Sequence, residues 1–270
     1  MLQALGEMFT YDFMQRALWG VLLIMPLFSL LGTLIVNRGM SFFSDALGHS
    51  ALTGVGLGVL LGMTDQTPAM LLFAVVFALL MNAIRRLRLS STDTVIGVFS
   101  ACGVALGLVL LSRTGFSGYQ ALLIGDILSI TNSQLWVLGG TLIAVVLLWL
   151  LCFNGFFAVS VSPSLARSRS LPVRWLDDLF VAVVAIVVML AIRWVGLLMI
   201  NAMLILPAAA ARNVARGMRG YTFLSLVFAL FSGLLGLTLS YLNGVATGPT
   251  IVLVGAAVFF GTFLLNRKNG

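Results

Sequence analysis

The only histidine in this 270-residue sequence, His49, follows Asp45 by four positions in the run Arg38-Gly39-Met40-Ser41-Phe42-Phe43-Ser44-Asp45-Ala46-Leu47-Gly48-His49-Ser50. On a helix that spacing puts carboxylate and imidazole on one face, about 6 Å apart along the axis. Both side chains can then reach one ligand. The pair suits a divalent ion such as zinc, manganese or ferrous iron better than soft copper(I). Two ligands do not close a site, but a two-fold dimer that joined two copies of the helix would supply four. The other reading makes Asp45 a helix N-cap and His49 an interhelical hydrogen-bonding group. Spacing alone leaves both open.

The element that must position the pair is itself apolar. From Ala46 to Met63 the residues are apolar or small over a length that crosses most of a bilayer. An ionised carboxylate at that depth costs at least about 2.5–3.5 kcal/mol and calls for a partner, water or an ion. Gly54, Gly58 and Gly62 share a face, which predicts close approach of another backbone there, a second protomer's included.

Composition excludes a soluble fold: 61% of residues are hydrophobic and 9% charged, too little polar surface for a water-facing shell. The chain reads as an all-α integral membrane protein, a polytopic bundle of about eight to nine transmembrane segments in one domain over residues 1–270. The net charge of +7 comes from short basic clusters between apolar runs. Those clusters orient the chain by the positive-inside rule and do not indicate nucleic acid. Cys102 and Cys152 fall inside apolar segments and support neither a disulfide nor a thiolate site.

In order, spans are expected at about 18–36, 45–62, 68–84, 94–111 and 135–153, then two short segments over 179–206 that turn near Arg193-Trp194, and finally 222–241 and 249–265. The first is expected to be a retained helix rather than a cleaved signal peptide, preceded by a short amphipathic surface piece with Phe9, Phe13 and Met14. Arg38, Arg85-Arg86-Leu87-Arg88, the polar stretch 160–178 and Arg267-Lys268 mark the inside, and Arg113 breaks the rule. Residues 119–131 are too short and too polar to span and predict a re-entrant or interfacial element. After Pro207, four alanines with arginines at 212, 216 and 219 predict a short basic helix that Gly217 and Gly220 end.

Several chemistries are absent. The sequence has no phosphate loop, and its one lysine is Lys268, so the chain does not hydrolyse nucleotide itself. It also lacks the second histidine of a His-Glu-x-x-His site. An enzyme is not expected. Asp93, just before a helix, and Asp126, in Gly125-Asp126-Ile127-Leu128, are the other acidic residues near apolar segments. Helix-start and capping roles are the default for both.

At these residues the chain resembles the permease subunits of bacterial zinc, manganese and iron ABC importers. The resemblance rests on four blocks in order: 38–50, 123–128 (Leu-Ile-Gly-Asp-Ile-Leu), 195–212 (with Asn201 and Leu206-Pro207-Ala208) and 248–253 (Gly-Pro-Thr-Ile-Val-Leu). It implies a homodimer in the cytoplasmic (inner) membrane, with two cytoplasmic ATPase subunits and an extracytoplasmic solute-binding protein. It also implies that Asp45 and His49 bind the transported metal transiently, with no permanently bound cofactor. The region at about 208–220 would be the coupling helix, with Arg212 and Arg216 toward the ATPase. The family commonly has glycine where this chain has Ser44, and alanine or serine where it has Gly48.

The rival readings are a permease for a chelated metal such as haem or a siderophore, an ion-coupled secondary transporter using Asp45 and His49 as a proton relay, and a non-transporting scaffold. Zinc, manganese and iron are not separated by two ligand types per chain.

Overall fold

The computed structural model describes residues 10–87, 89–114 and 125–269. Its elements in order are α1 (Asp12–Asn37), α2 (Phe43–Leu60), α3 (Thr67–Arg86), α4 (Thr92–Thr114), a 3₁₀ turn (Ile127–Ser129), α5 (Asn132–Val161), α6 (Pro163–Ser168), α7 (Val173–Val195), α8 (Leu197–Val214), α9 (Met218–Asn243) and α10 (Thr247–Asn269). Among the described residues there is no strand. Seven of these helices are long and apolar enough to cross a membrane. At 18 residues each, α2 and α8 are shorter, about 27 Å, just under the ~30 Å hydrocarbon thickness. Seven spans and these two short helices match the expected count.

Local chemistry explains the boundaries. Pro68 opens α3 at its first turn, where its missing N–H costs nothing. A reciprocal pair of hydrogen bonds between Thr131 and Gln134 caps α5. Gly196, with φ at 83°, both ends α7 and begins α8, a conformation that side-chain-bearing residues rarely adopt. The expected turn near Arg193-Trp194 therefore falls two residues later.

Burial ranks the helices. Among the seven spanning helices the windows of α1 and α7 are 67% and 61% buried, against 28% for α4, 28% for α5 and 17% for α10; together with α2, 13 of whose 18 residues are buried, they form the centre. The outer helices turn apolar side chains such as Trp136, Leu150, Leu151 and Leu253 outward, as a lipid-facing surface requires. At one end Arg38, Arg85 and Arg86 meet Asp177 and Asp178; at the other Asp65 meets Arg193. The first end carries the basic clusters and is the cytoplasmic one.

Three expectations change. No separate surface piece holds Phe13 and Met14, because both lie in α1 and Met14 is buried; Phe9 lies outside the described residues. The stretch 160–178, expected on the inside, lies at the cytoplasmic end and is mostly helical: α5 runs on to Val161, α6 follows, and α7 has begun by Val173. Residues 208–220 are not one short helix. Helix α8 continues through Pro207 to Val214, and α9 starts at Met218, since packing on both sides holds α8 together where proline removes one hydrogen bond.

The glycine face of α2 is also occupied. A Cβ on Gly54 would lie 2.7 Å from Met70 Cα, and one on Gly58 3.1 Å from Gln66. Helix α3 of the same chain fills that face, leaving no room there for a second protomer.

Candidate metal site on the second helix

The site begins at a tight turn. After α1, Gly39 takes a positive φ and the Met40 N–H returns to Ile35 O at 3.1 Å, which aims α2 back across the bundle. The N-cap is Phe42, with no side-chain hydrogen bond, and Asp45 stands in the first turn. Asp45 is therefore not the cap. Its charge lies beside the free N–H groups of the helix start, which favour an anion.

One turn on, His49 Nε2 lies 3.5 Å from Asp45 Oδ2, with the imidazole 28% and the carboxylate 36% exposed. That separation is longer than a good hydrogen bond. It is close to the roughly 3.3 Å between two ligand atoms that share a tetrahedral ion at about 2.0–2.1 Å. The open face and the spacing let one divalent ion sit between the two atoms. Among the described residues, no group of three or more histidine, cysteine, aspartate or glutamate side chains comes together, so of these types only this pair meets here.

The neighbouring faces of α2 are closed. Ser44 Oγ donates to Asn201 Oδ1 of α8 at 2.6 Å, and a Cβ on Gly48 would meet Leu197 of α8 at 3.3 Å. On the α4 side Thr53 Oγ1 donates to Gly103 O at 2.6 Å, and a Cβ on Gly107 would lie 2.8 Å from Thr53 N. Helices α3, α4 and α8 thus fix α2 on three sides and leave Asp45 and His49 on the remaining edge.

The other acidic candidates do not join them. Asp126 accepts from Leu128 N at 3.0 Å and caps the 3₁₀ turn. That turn packs against α1, where a Cβ on Gly20 would meet Ile130 at 3.4 Å, and Gly125 presses on the Val195–Gly196 backbone. Of the predicted 119–131 element, residues 119–124 lie outside the described residues, as do Leu123 and Ile124 of the second block. Asp93 is exposed in the first turn of α4, where Ser91 Oγ accepts from Thr94 N. Arg212 and Arg216 are exposed at the cytoplasmic end of α8, and Arg212 Nη1 reaches Val36 O at 3.5 Å.

Sequence reasoning missed a buried ion cluster at the cytoplasmic end. Arg38 Nη1 contacts Asp177 Oδ1 at 2.6 Å and Arg85 Nη2 contacts Asp177 Oδ2 at 2.9 Å. Asp178 accepts from Arg86 at 2.7 Å and from Asn82 at 2.9 Å. The Arg38 guanidinium also lies 4.3 Å from the Phe180 ring centre, a cation–π contact. Burial brings the Arg38 pKa down to about 10, against the pull of Asp177, and the side chain stays charged at neutral pH. The available signal was Asp177-Asp178, the one adjacent acidic pair in the chain.

The fold defines a class: a multi-pass, all-helical membrane protein whose short second helix carries an aspartate–histidine pair. The model of the ABC 3 transport family matches residues 10–266, and the chain belongs to that family. It is 30% identical to the manganese transport system membrane protein MntC of Listeria innocua, over 96% of this chain and 93% of that one. It is 30% identical to the high-affinity zinc uptake system membrane protein ZnuB of Haemophilus influenzae, over 85% and 88%. Among solved structures it is similar to PsaBC from Streptococcus pneumoniae in complex with Fab, with a TM-score of 0.85, 30% identity, and coverage of 97% of this chain and 95% of that one. The chain is a multi-pass protein of the inner membrane.

Proposed function

We propose that this chain is the permease subunit of an ABC importer that moves a divalent metal ion, manganese, zinc or ferrous iron, across the cytoplasmic membrane. The observation that carries the reading is the Asp45–His49 pair, 3.5 Å apart on the open edge of a helix that α3, α4 and α8 pack on its other sides. The names of MntC and ZnuB support the cargo class. A desolvated permeation path has little use for a carboxylate and an imidazole at ion-sharing distance unless a cation passes there. The metal is cargo, held transiently and released.

Two such pairs, one from each protomer of a homodimer, would complete a four-coordinate ion. With the glycine face filled by α3, the protomers would meet along the open edge of α2. Two ATPase subunits would bind the cytoplasmic end, where Arg212 and Arg216 stand exposed. An extracytoplasmic solute-binding protein would deliver the ion at the opposite end. ATP binding and hydrolysis on the partners would switch the dimer between outward-open and inward-open states.

The test is ATP-dependent uptake of manganese, zinc and ferrous iron into proteoliposomes holding this chain with its ATPase and binding protein. Uptake of at least one metal is expected, with loss in Asp45→Ala and His49→Ala while the complex still assembles. Uptake that persists without the ATPase would replace the reading with ion-coupled transport. Uptake of a metal chelate but of no free ion would replace it with a chelate permease.

A further inference from the structure

Asn201 is the one polar residue between Val195 and Ala211, and its position on α8 is not incidental. Its Oδ1 accepts from Ser44 Oγ at 2.6 Å, and Ser44, 1% exposed, directly precedes Asp45. One turn earlier on α8, Leu197 covers Gly48, which directly precedes His49. The line 197–201 on α8 therefore lies along the line 44–48 on α2, and the metal pair sits one residue round from that seam.

The Asn201 amide is only half committed. Its oxygen is held by Ser44, its nitrogen makes no hydrogen bond to a described residue, and the side chain is partly exposed. A hydroxyl both donates and accepts, so Ser44 Oγ holds the amide in either orientation. With the amide reversed, Nδ2 donates to Ser44 and Oδ1 is free to turn toward the open edge. An amide oxygen is a hard, neutral donor, and one carboxylate, one imidazole and added oxygens suit manganese better than zinc, which is satisfied by four nitrogen or sulfur-rich ligands.

We propose that Asn201, held by Ser44, is a specificity-determining residue of the metal step: it presents its amide oxygen beside Asp45 and His49 and favours manganese over zinc. The inference rests on the permease reading above. It also gives a physical role to serine at position 44, which would otherwise be a buried hydroxyl between two apolar helices.

The experiment is uptake of manganese and zinc in competition, in the same proteoliposomes, for native protein, Asn201→Leu, Asn201→Asp, Ser44→Ala and Asp45→Ala. Leucine keeps the branched skeleton of asparagine and removes its oxygen, and the manganese-to-zinc uptake ratio is expected to fall roughly tenfold, with zinc uptake retained. Aspartate keeps an oxygen acceptor for Ser44 and is expected to hold or raise the ratio. Ser44→Ala, which frees the amide without deleting it, is expected to lower the ratio by less than leucine does. An unchanged ratio in Asn201→Leu, or loss of both metals in proportion, would overturn the proposal and leave Asn201 as an interhelical bond. If Asp45→Ala also left uptake of both metals intact, the permease site itself would fall with it; if Asp45→Ala abolished uptake, only the role of Asn201 would.

Discussion

Arg38 and Asp177, 139 residues apart in sequence, meet at 2.6 Å with side chains 5% and 9% exposed. The contact ties the α1–α2 turn, which aims the helix that carries Asp45 and His49, to the start of central helix α7, and Arg85 brings in the end of α3. Taking one partner from a buried pair leaves an uncompensated charge, which costs about 3–5 kcal/mol. Asp177→Ala is therefore expected to lower stability by that amount in thermal or denaturant unfolding of the purified protein. A loss below about 1 kcal/mol would mean that water or lipid headgroups reach the cluster.

Asp65 and Arg193 form the opposite case at the outer end. They lie 3.2 Å apart and are largely exposed, and exposed pairs contribute about 0–1 kcal/mol. The Thr67 hydroxyl and backbone N–H, with Arg193, hold the Asp65 carboxyl below the usual carboxylate range. A carboxyl with a lower pKa when folded stabilises above its unfolded pKa and loses that contribution as pH falls through its folded value. Asp65→Asn is expected to destabilise slightly at neutral pH and not at all in strong acid, as pH-dependent melting curves would record. A larger effect in acid than at neutrality would reverse the sign and refute it.

Helices α1 and α8 touch through backbone at Gly32, where an added Cβ would fall on the Leu204 carbonyl oxygen. Backbone cannot rotate away, so Gly32→Ala forces the helices apart and should cost at least the 1–3 kcal/mol typical of overpacking. Gly140→Ala in α5 meets nothing within 4 Å and should be neutral or gain up to about 1 kcal/mol from helix propensity. The two melting temperatures, measured side by side, check both.

Arg212 and Arg216 distinguish an ATPase contact from a belt of charge against lipid headgroups. Replacing both by alanine is expected to weaken copurification of the ATPase with the permease and to lower ATP-dependent uptake. Unchanged copurification with altered extraction from anionic lipid would assign them to the membrane surface.

The legible part of the chain was local. A helix repeats every 3.6 residues whatever surrounds it, so Asp45 and His49 had to share a face, and the apolar runs had to be spans because nothing else buries them. Basic clusters fixed orientation for the same reason, being costly to translocate. The break between α7 and α8 was visible to within two or three residues because Arg193 interrupts the apolar run beside it, although Gly196 at positive φ makes the turn.

Tertiary structure decided which faces meet. The sequence marked Gly54 and Gly58 as a close-packing face but could not say that α3, rather than a second protomer, would fill it. It marked Arg38 and Asp177 as charges near the cytoplasmic surface but not as a buried pair, and Ser44 and Asn201, 157 residues apart, carried no sign of their hydrogen bond. Periodicity says which residues share a side of one helix; it holds no information on the rotation and depth at which two helices dock. Those depend on side-chain volumes and polar partners summed over the whole bundle.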